Sequence, residues 1–161
     1  MKQPQNGRTE GRSEAGSATR PAKLYTPELL ALSAGLAEFP LTPHYQFTAE
    51  TRSRTCGSTL EIGLDCGADG KIERIGLQVT ACAIGQSSAA ILAKSAKGRP
   101  SFDLPATCTA IEAWLRGEGA MPDWPGFDAL APALNHAGRH DALMLPWRAA
   151  SIALSTGTVS S

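Results

Sequence analysis

Four cysteines, at 56, 66, 82 and 108, are the residues of this 161-residue chain whose types and spacing could do chemistry. A thiolate binds iron or zinc and accepts sulfur. No pair is spaced CxxC, which excludes a zinc ribbon and a thioredoxin-type motif. Cys56 opens the run Cys56-Gly57-Ser58 just ahead of an alternating segment, and Gly57 supplies the sharp turn that puts Cys56 at a hairpin end. Cys82 directly follows a second alternating segment and precedes an Ala-rich helical stretch. A thiol there feels the positive end of the helix dipole, which favours thiolate. Two thiols at neighbouring loop tips of a small sheet meet at one end of the domain. Cys66 continues an apolar strand face and Cys108 an apolar helix face, so both read as packing residues.

The elements that must position them follow from periodicity. Thr26 is an N-cap and Pro27 a first helical residue, with Leu29, Leu32, Leu36 and Phe39 as the apolar stripe and Pro40 and Pro43 as the stop. Residues 45–54 form a weak strand anchored by Phe47. Residues 58–66 alternate, with Leu60, Ile62, Leu64 and Cys66 on one face. A turn at 67–70 leads to a third strand over 71–81, with Ile75, Leu77, Val79 and Ala81 in phase. Ile72 is out of phase, which predicts a bulge near Glu73. Short links between three strands predict an antiparallel meander. Helices are predicted over 84–97, with Gly98 closing, and over 104–116, with Gly117 behind. A Pro- and Gly-rich connection carries Trp124 and Phe127. A last helix falls within 139–154, and Pro146 either opens it or kinks an earlier start. The fold class is α+β: a three-stranded antiparallel sheet with helices on one face. Residues 1–22 are expected to be a disordered tail, 23–155 the domain and 156–161 a flexible C-terminus.

Fifteen basic residues match fifteen acidic ones, so global charge points to no nucleic-acid partner. Residues 1–23 carry five basic and two acidic side chains, a net of +3 that leaves −3 for the rest. This basic stretch lacks interleaved aromatics and reads as solvated rather than as a nucleic-acid arm. No stretch reaches the roughly 18 apolar residues of a membrane span, so no membrane is expected. No secretory signal is expected either, and the cysteines read as reduced thiols in the cytoplasm.

The stretch SRTCGSTLEIGLDCGADGKIERIGLQVTACAIGQSSAAILAKSAKG resembles the central segment of the NifU/IscU/SufU family of iron–sulfur cluster assembly scaffolds. There a Cys-Gly-Asp hairpin is followed by two strands and a Cys-containing motif that opens a Ser- and Ala-rich helix. RHDALMLPWRAASIAL is similar to the family's final helix and LYTPELLALSAGLAEFP to its first, so the likeness spans about residues 24–155. The chain departs from the pattern at two positions. Ser58 stands where the family has Asp, and Ala142 where it has a third cysteine. The resemblance implies a metal and cluster site at Cys56 and Cys82 with Asp141 as a further ligand. Its fourth donor is left among His140, Asp141, Ser58 and water. Arg139 falls where the family has an Arg near the site.

What the resemblance implies is a non-enzymatic scaffold or sulfur acceptor. It would hold iron or a [2Fe–2S] cluster transiently, or zinc. Its partners would be a cysteine desulfurase and apo iron–sulfur recipient proteins. The missing third cysteine favours a degenerate partner-binding relative as the alternative, and the Cys56/Cys82 pair alone also fits a thiol redox protein.

Overall fold

The structure, a computed structural model, describes residues 24–160, with side chains described through Gly157. The tail expected over 1–22 lies outside the described residues. Thr26 Oγ1 accepts the Leu29 amide at 3.1 Å and caps helix α1, Pro27–Ala34. The apolar stripe continues as a 3-10 turn, Gly35–Glu38.

Strands β1, Phe47–Arg52, β2, Thr59–Cys66, and β3, Ile72–Thr80, form one antiparallel sheet in the order β1-β2-β3. Thr51, Leu60 and Val79 share one cross-strand row; Ala49, Ile62 and Leu77 share the next; Phe47, Leu64 and Ile75 the third. These rows face the helices, as the alternation predicts. Asp65 pairs Arg74 while Cys66 pairs Ile72, so Glu73 is the extra residue of the expected bulge, and Ile72 returns to the core side at 1% exposure. Tyr45 covers the opposite face at Gly63 and Gly76, where any side chain would collide with its ring or hydroxyl. Arg74 holds that cover in place, stacking 4.0 Å over the Tyr45 ring and bonding Asp65 at 2.7 Å.

Helices α2, Ala83–Ala96, α3, Asp103–Leu115, and α4, His140–Ser160, supply the other layer, with α4 against β1 and β2 and α2 against β3 and α4. The boundaries of α2 and α3 fall within a residue of their expected limits. The α4 helix differs more. It starts at His140 with Pro146 inside it, and it runs through Ser160, past the expected limit of 154 and across most of the segment expected to be flexible. The reason lies at Gly157: with no side chain there, the helix lies flush against the Phe47 ring of β1.

Four buried polar side chains around α2 are paired. Trp147 Nε1 donates to Ser88 Oγ at 2.9 Å, and Ser88 Oγ donates to the Leu143 carbonyl at 2.7 Å. Trp124 Nε1 donates to the Ile91 carbonyl, and Ser87 Oγ to the Leu29 carbonyl. Trp124, Phe127 and Trp147 meet edge to face, with Trp124 and Trp147 centroids 5.0 Å apart. These bonds fix α2 against both α1 and α4, and with them the residue at the head of α2.

Candidate functional site

That residue is Cys82, the N-cap of α2, whose side chain makes no capping bond. The loop between β1 and β2 brings Cys56 to the same end. Its closing bond, Ser53 N to the Ser58 carbonyl at 2.8 Å, continues the β1–β2 ladder by one step, and Gly57 turns the chain at φ +73°. Carrying the β2–β3 register beyond the Thr59–Thr80 pair sets Ser58 opposite Ala81 and Gly57 opposite Cys82. The hairpin tip therefore folds back at the level of the α2 N-terminus. Cys56, Gly57, Ser58, Thr80, Ala81, Cys82 and Arg139 line a single open pocket of about 390 Å³.

The Cys56 thiol is exposed, and two hydroxyls attend it, Ser58 Oγ at 2.9 Å and Ser53 Oγ at 3.2 Å from its Sγ. The hydrogen bonds of Ser53, then of Ser58, hold the thiol below its ordinary value. The two serines differ in what they can give. Ser53 Oγ lies 3.1 Å from Asp141 Oδ2, and a carboxylate only accepts, so the one Ser53 proton points to Asp141. Ser53 is then the acceptor for the Cys56 amide and for the protonated thiol; when the thiol ionises, the Ser53 proton can swing to the sulfur, and the Ser58 hydroxyl, which has no carboxylate to serve, donates beside it. Arg139 closes the pocket with a guanidinium whose Nε donates to Tyr25 Oη at 3.1 Å. That bond raises its already high pKa, so it is charged throughout.

Asp141 is the expected ligand that the structure does not bring to this pocket. Its Oδ2 takes the Ser53 hydroxyl and the Arg54 amide, the latter at 2.8 Å, and its Oδ1 takes Arg148 at 2.8 Å. Burial pushes its carboxyl up, but the Arg148, Arg54 and Ser53 bonds outweigh it and hold the group below the usual range. Asp141 is thus spent on fastening the Cys56 loop to α4. His140 is turned away too. Its Nε2 lies 3.0 Å from the carbonyls of Ala133 and Leu134, so that nitrogen carries a proton and has no lone pair for a metal.

Ala142 is fully buried beneath the pocket, where it packs on Gly85; a methyl placed on Gly85 would lie 3.7 Å from its Cβ and 2.7 Å from that of Ala81. Cys66 closes the far end of β2 and Cys108 lies in the core, and burial raises both thiols.

The donor set at the pocket is therefore two thiols and a neutral hydroxyl. A tetrahedral zinc or a cluster asks for four ligands. Among the described residues no group of three or more His, Cys, Asp or Glu is placed to hold a metal. The pocket of one chain does not fit a [2Fe–2S] cluster, iron or zinc.

What sequence reasoning missed is the role of Ser53. Its only signal was position: a serine at the last step of a strand, three residues before a cysteine, is placed to collect loop amides.

No family model matches the sequence, and no curated protein matches it significantly. Solved structures do share its fold. The N-terminal part of a nitrogen-fixing NifU-like protein from Brucella abortus superposes with a TM-score of 0.78 at 23% identity, covering 86% of this chain and 96% of that one. A protein proposed as an iron–sulfur cluster assembly scaffold for the SUF system, from the thermophile Fervidobacterium islandicum AW-1, gives 0.74 at 19% identity, covering 81% and 96%. At these identities the likeness is one of fold.

Proposed function

We propose that this protein works in iron–sulfur cluster assembly as a sulfur acceptor of scaffold fold, receiving sulfur on Cys56 from a cysteine desulfurase in the reducing cytoplasm and passing it toward apo iron–sulfur recipient proteins. The observation that carries the reading is the shared pocket: Cys56 and Cys82 line one cleft with Arg139, and neither Cys66 nor Cys108 lines it. The scaffold fold of the two solved relatives supports the same pathway.

The transfer is a thiol–persulfide exchange. The Cys56 sulfur attacks the outer sulfur of the partner's cysteine persulfide; a new S–S bond forms on Cys56, the old one breaks, and the partner's cysteine leaves as thiolate. Exposure at a hairpin tip gives the incoming persulfide access, and the Ser58 hydroxyl supports the attacking anion. Arg139 supplies the positive charge beside the transferred sulfur. Asp141 acts at one remove, holding the loop.

The test is anaerobic incubation with a cysteine desulfurase and cysteine, followed by intact mass and peptide mapping. One added sulfur atom on Cys56, trapped by alkylation at the earliest times before it can be passed on, absent from Cys56→Ser and present in Cys66→Ser and Cys108→Ser, is expected. Sulfur on Cys66 or Cys108 with Cys56 unmodified would overturn the proposal.

A further inference from the structure

A sulfur atom parked on Cys56 has one thiol within its pocket to react with, and that is Cys82. Ala142 and Ser58 offer no thiolate or carboxylate, and Asp141 is held by Ser53, Arg54 and Arg148. We propose that Cys82 resolves a Cys56 persulfide within the chain, releasing hydrosulfide and leaving a Cys56–Cys82 disulfide. The proposal rests on the reading of Cys56 as sulfur acceptor and adds what becomes of the sulfur.

The step balances. The Cys82 sulfur, its proton lost to solvent, attacks the inner sulfur of Cys56–S–SH. The Cys56–S–S–Cys82 bond forms, the bond to the outer sulfur breaks, and that sulfur leaves with the electron pair as HS⁻. The sulfane sulfur is reduced by two electrons, and the two cysteine sulfurs are oxidised to the disulfide. A dithiol reductant, small or protein-borne, restores the pair for the next round.

Three features of the pocket suit this step. Gly57 folds the loop back at the register level of Cys82, which brings the residue before it toward the head of α2. The Cys82 side chain is not spent on capping its helix. The leaving hydrosulfide is an anion, and it departs beside the Arg139 guanidinium and the first amides of a 14-residue helix, both of which favour negative charge. A pocket with two thiols and no third ligand is badly made for holding a cluster but complete for this exchange.

The experiment loads the full chain with sulfur anaerobically, in the absence of reductant. One arm uses a cysteine desulfurase with limiting cysteine, and a second uses inorganic polysulfide. Free sulfide, intact mass and a non-reducing peptide map are read over time for the parent and for Cys82→Ser. The parent is expected to release one sulfide per sulfur taken up and to end as the Cys56–Cys82 disulfide. Cys82→Ser is expected to keep its Cys56 persulfide and release sulfide about tenfold more slowly or less. A parent persulfide as long-lived as that of Cys82→Ser would overturn the proposal, as would movement of the sulfur onto Cys82 with no sulfide released. A chain that takes sulfur from polysulfide and resolves it, but takes none from the desulfurase, would sink the partner and leave the resolution step standing. A chain that takes sulfur from neither overturns both readings.

Discussion

Asp141 fastens Ser53: the carboxylate Oδ2 lies 3.1 Å from the serine hydroxyl, and that hydroxyl in turn collects the amides of Thr55 and Cys56, each at 3.2 Å. The two residues are 88 positions apart in sequence. The first turn of α4 therefore sets the shape of the loop that carries the exposed thiol.

Asp141→Asn keeps the size and removes the charge from three donors. Hydrogen bonds to a charged group contribute roughly 1.5–3 kcal/mol, so a loss of about that size is expected at pH 7. The carboxyl sits below its ordinary value of about 3.9, and such a group stabilises above its unfolded value and loses the contribution as pH falls through its folded one. The gap between parent and variant in urea unfolding should thus be full at neutral pH and close as pH falls below about 4. A gap that persisted unchanged in acid would show that the lost charge is not its source.

Thiol reactivity should follow exposure and hydroxyl donation. Iodoacetamide at about pH 8 should reach Cys56 first and Cys108 last, because burial raises the Cys108 thiol and the Ser53 and Ser58 bonds lower that of Cys56. Ser58→Ala should move the pH profile of Cys56 alkylation upward, and Ser58→Thr should restore it. An unmoved profile in Ser58→Ala would rule out the donor assigned to that hydroxyl.

Gly157→Ala should cost about 1–3 kcal/mol, because the new methyl runs into the Phe47 ring and something must shift. Phe47→Ala in the same chain removes the obstacle, so thermal unfolding of the double variant should show less than the summed losses. Additive losses would mean that α4 does not lie flush on β1 at this point.

Ala142→Cys introduces a sulfur on the floor beneath the pocket, beside Ala81 and Gly85. It should raise the zinc retained per chain against a graded chelator above that of the parent, since a third thiolate suits zinc better than any donor now present. Removing Cys82 from that variant should undo the gain. Equal retention by parent and variant would show that the new sulfur does not reach the thiol pair.

Much of this was readable from residue order. Two alternating runs separated by a four-residue turn specify an antiparallel pair, and the out-of-phase Ile72 marks the bulge, because side-chain facing has a strict period of two. The meeting of Cys56 and Cys82 at one end follows from that same register. Asp141 was legible only as the further ligand that the family resemblance implied, and its bonding was not legible at all: only the three-dimensional path of the loop shows Ser53, Arg54 and Arg148 occupying both its oxygens. The length of α4 was hidden for a related reason: Ser- and Thr-rich residues past 154 have weak helix propensity, and the packing of Gly157 on Phe47, more than a hundred residues away, overrides it.

The bond between Asp141 and the 53–54 turn also carries a timetable. The hairpin bearing Cys56 leaves the ribosome well before α4, and Cys82 and α2 follow it, yet the contact that shapes the thiol-bearing loop waits for His140–Ser160. Until that helix has been made and has docked on β1 and β2, the nascent chain has both cysteines without a built cleft around them. Formation of the thiol cleft is thereby tied to completion of the domain, and a chain interrupted before residue 140 would carry its thiols in no fixed arrangement.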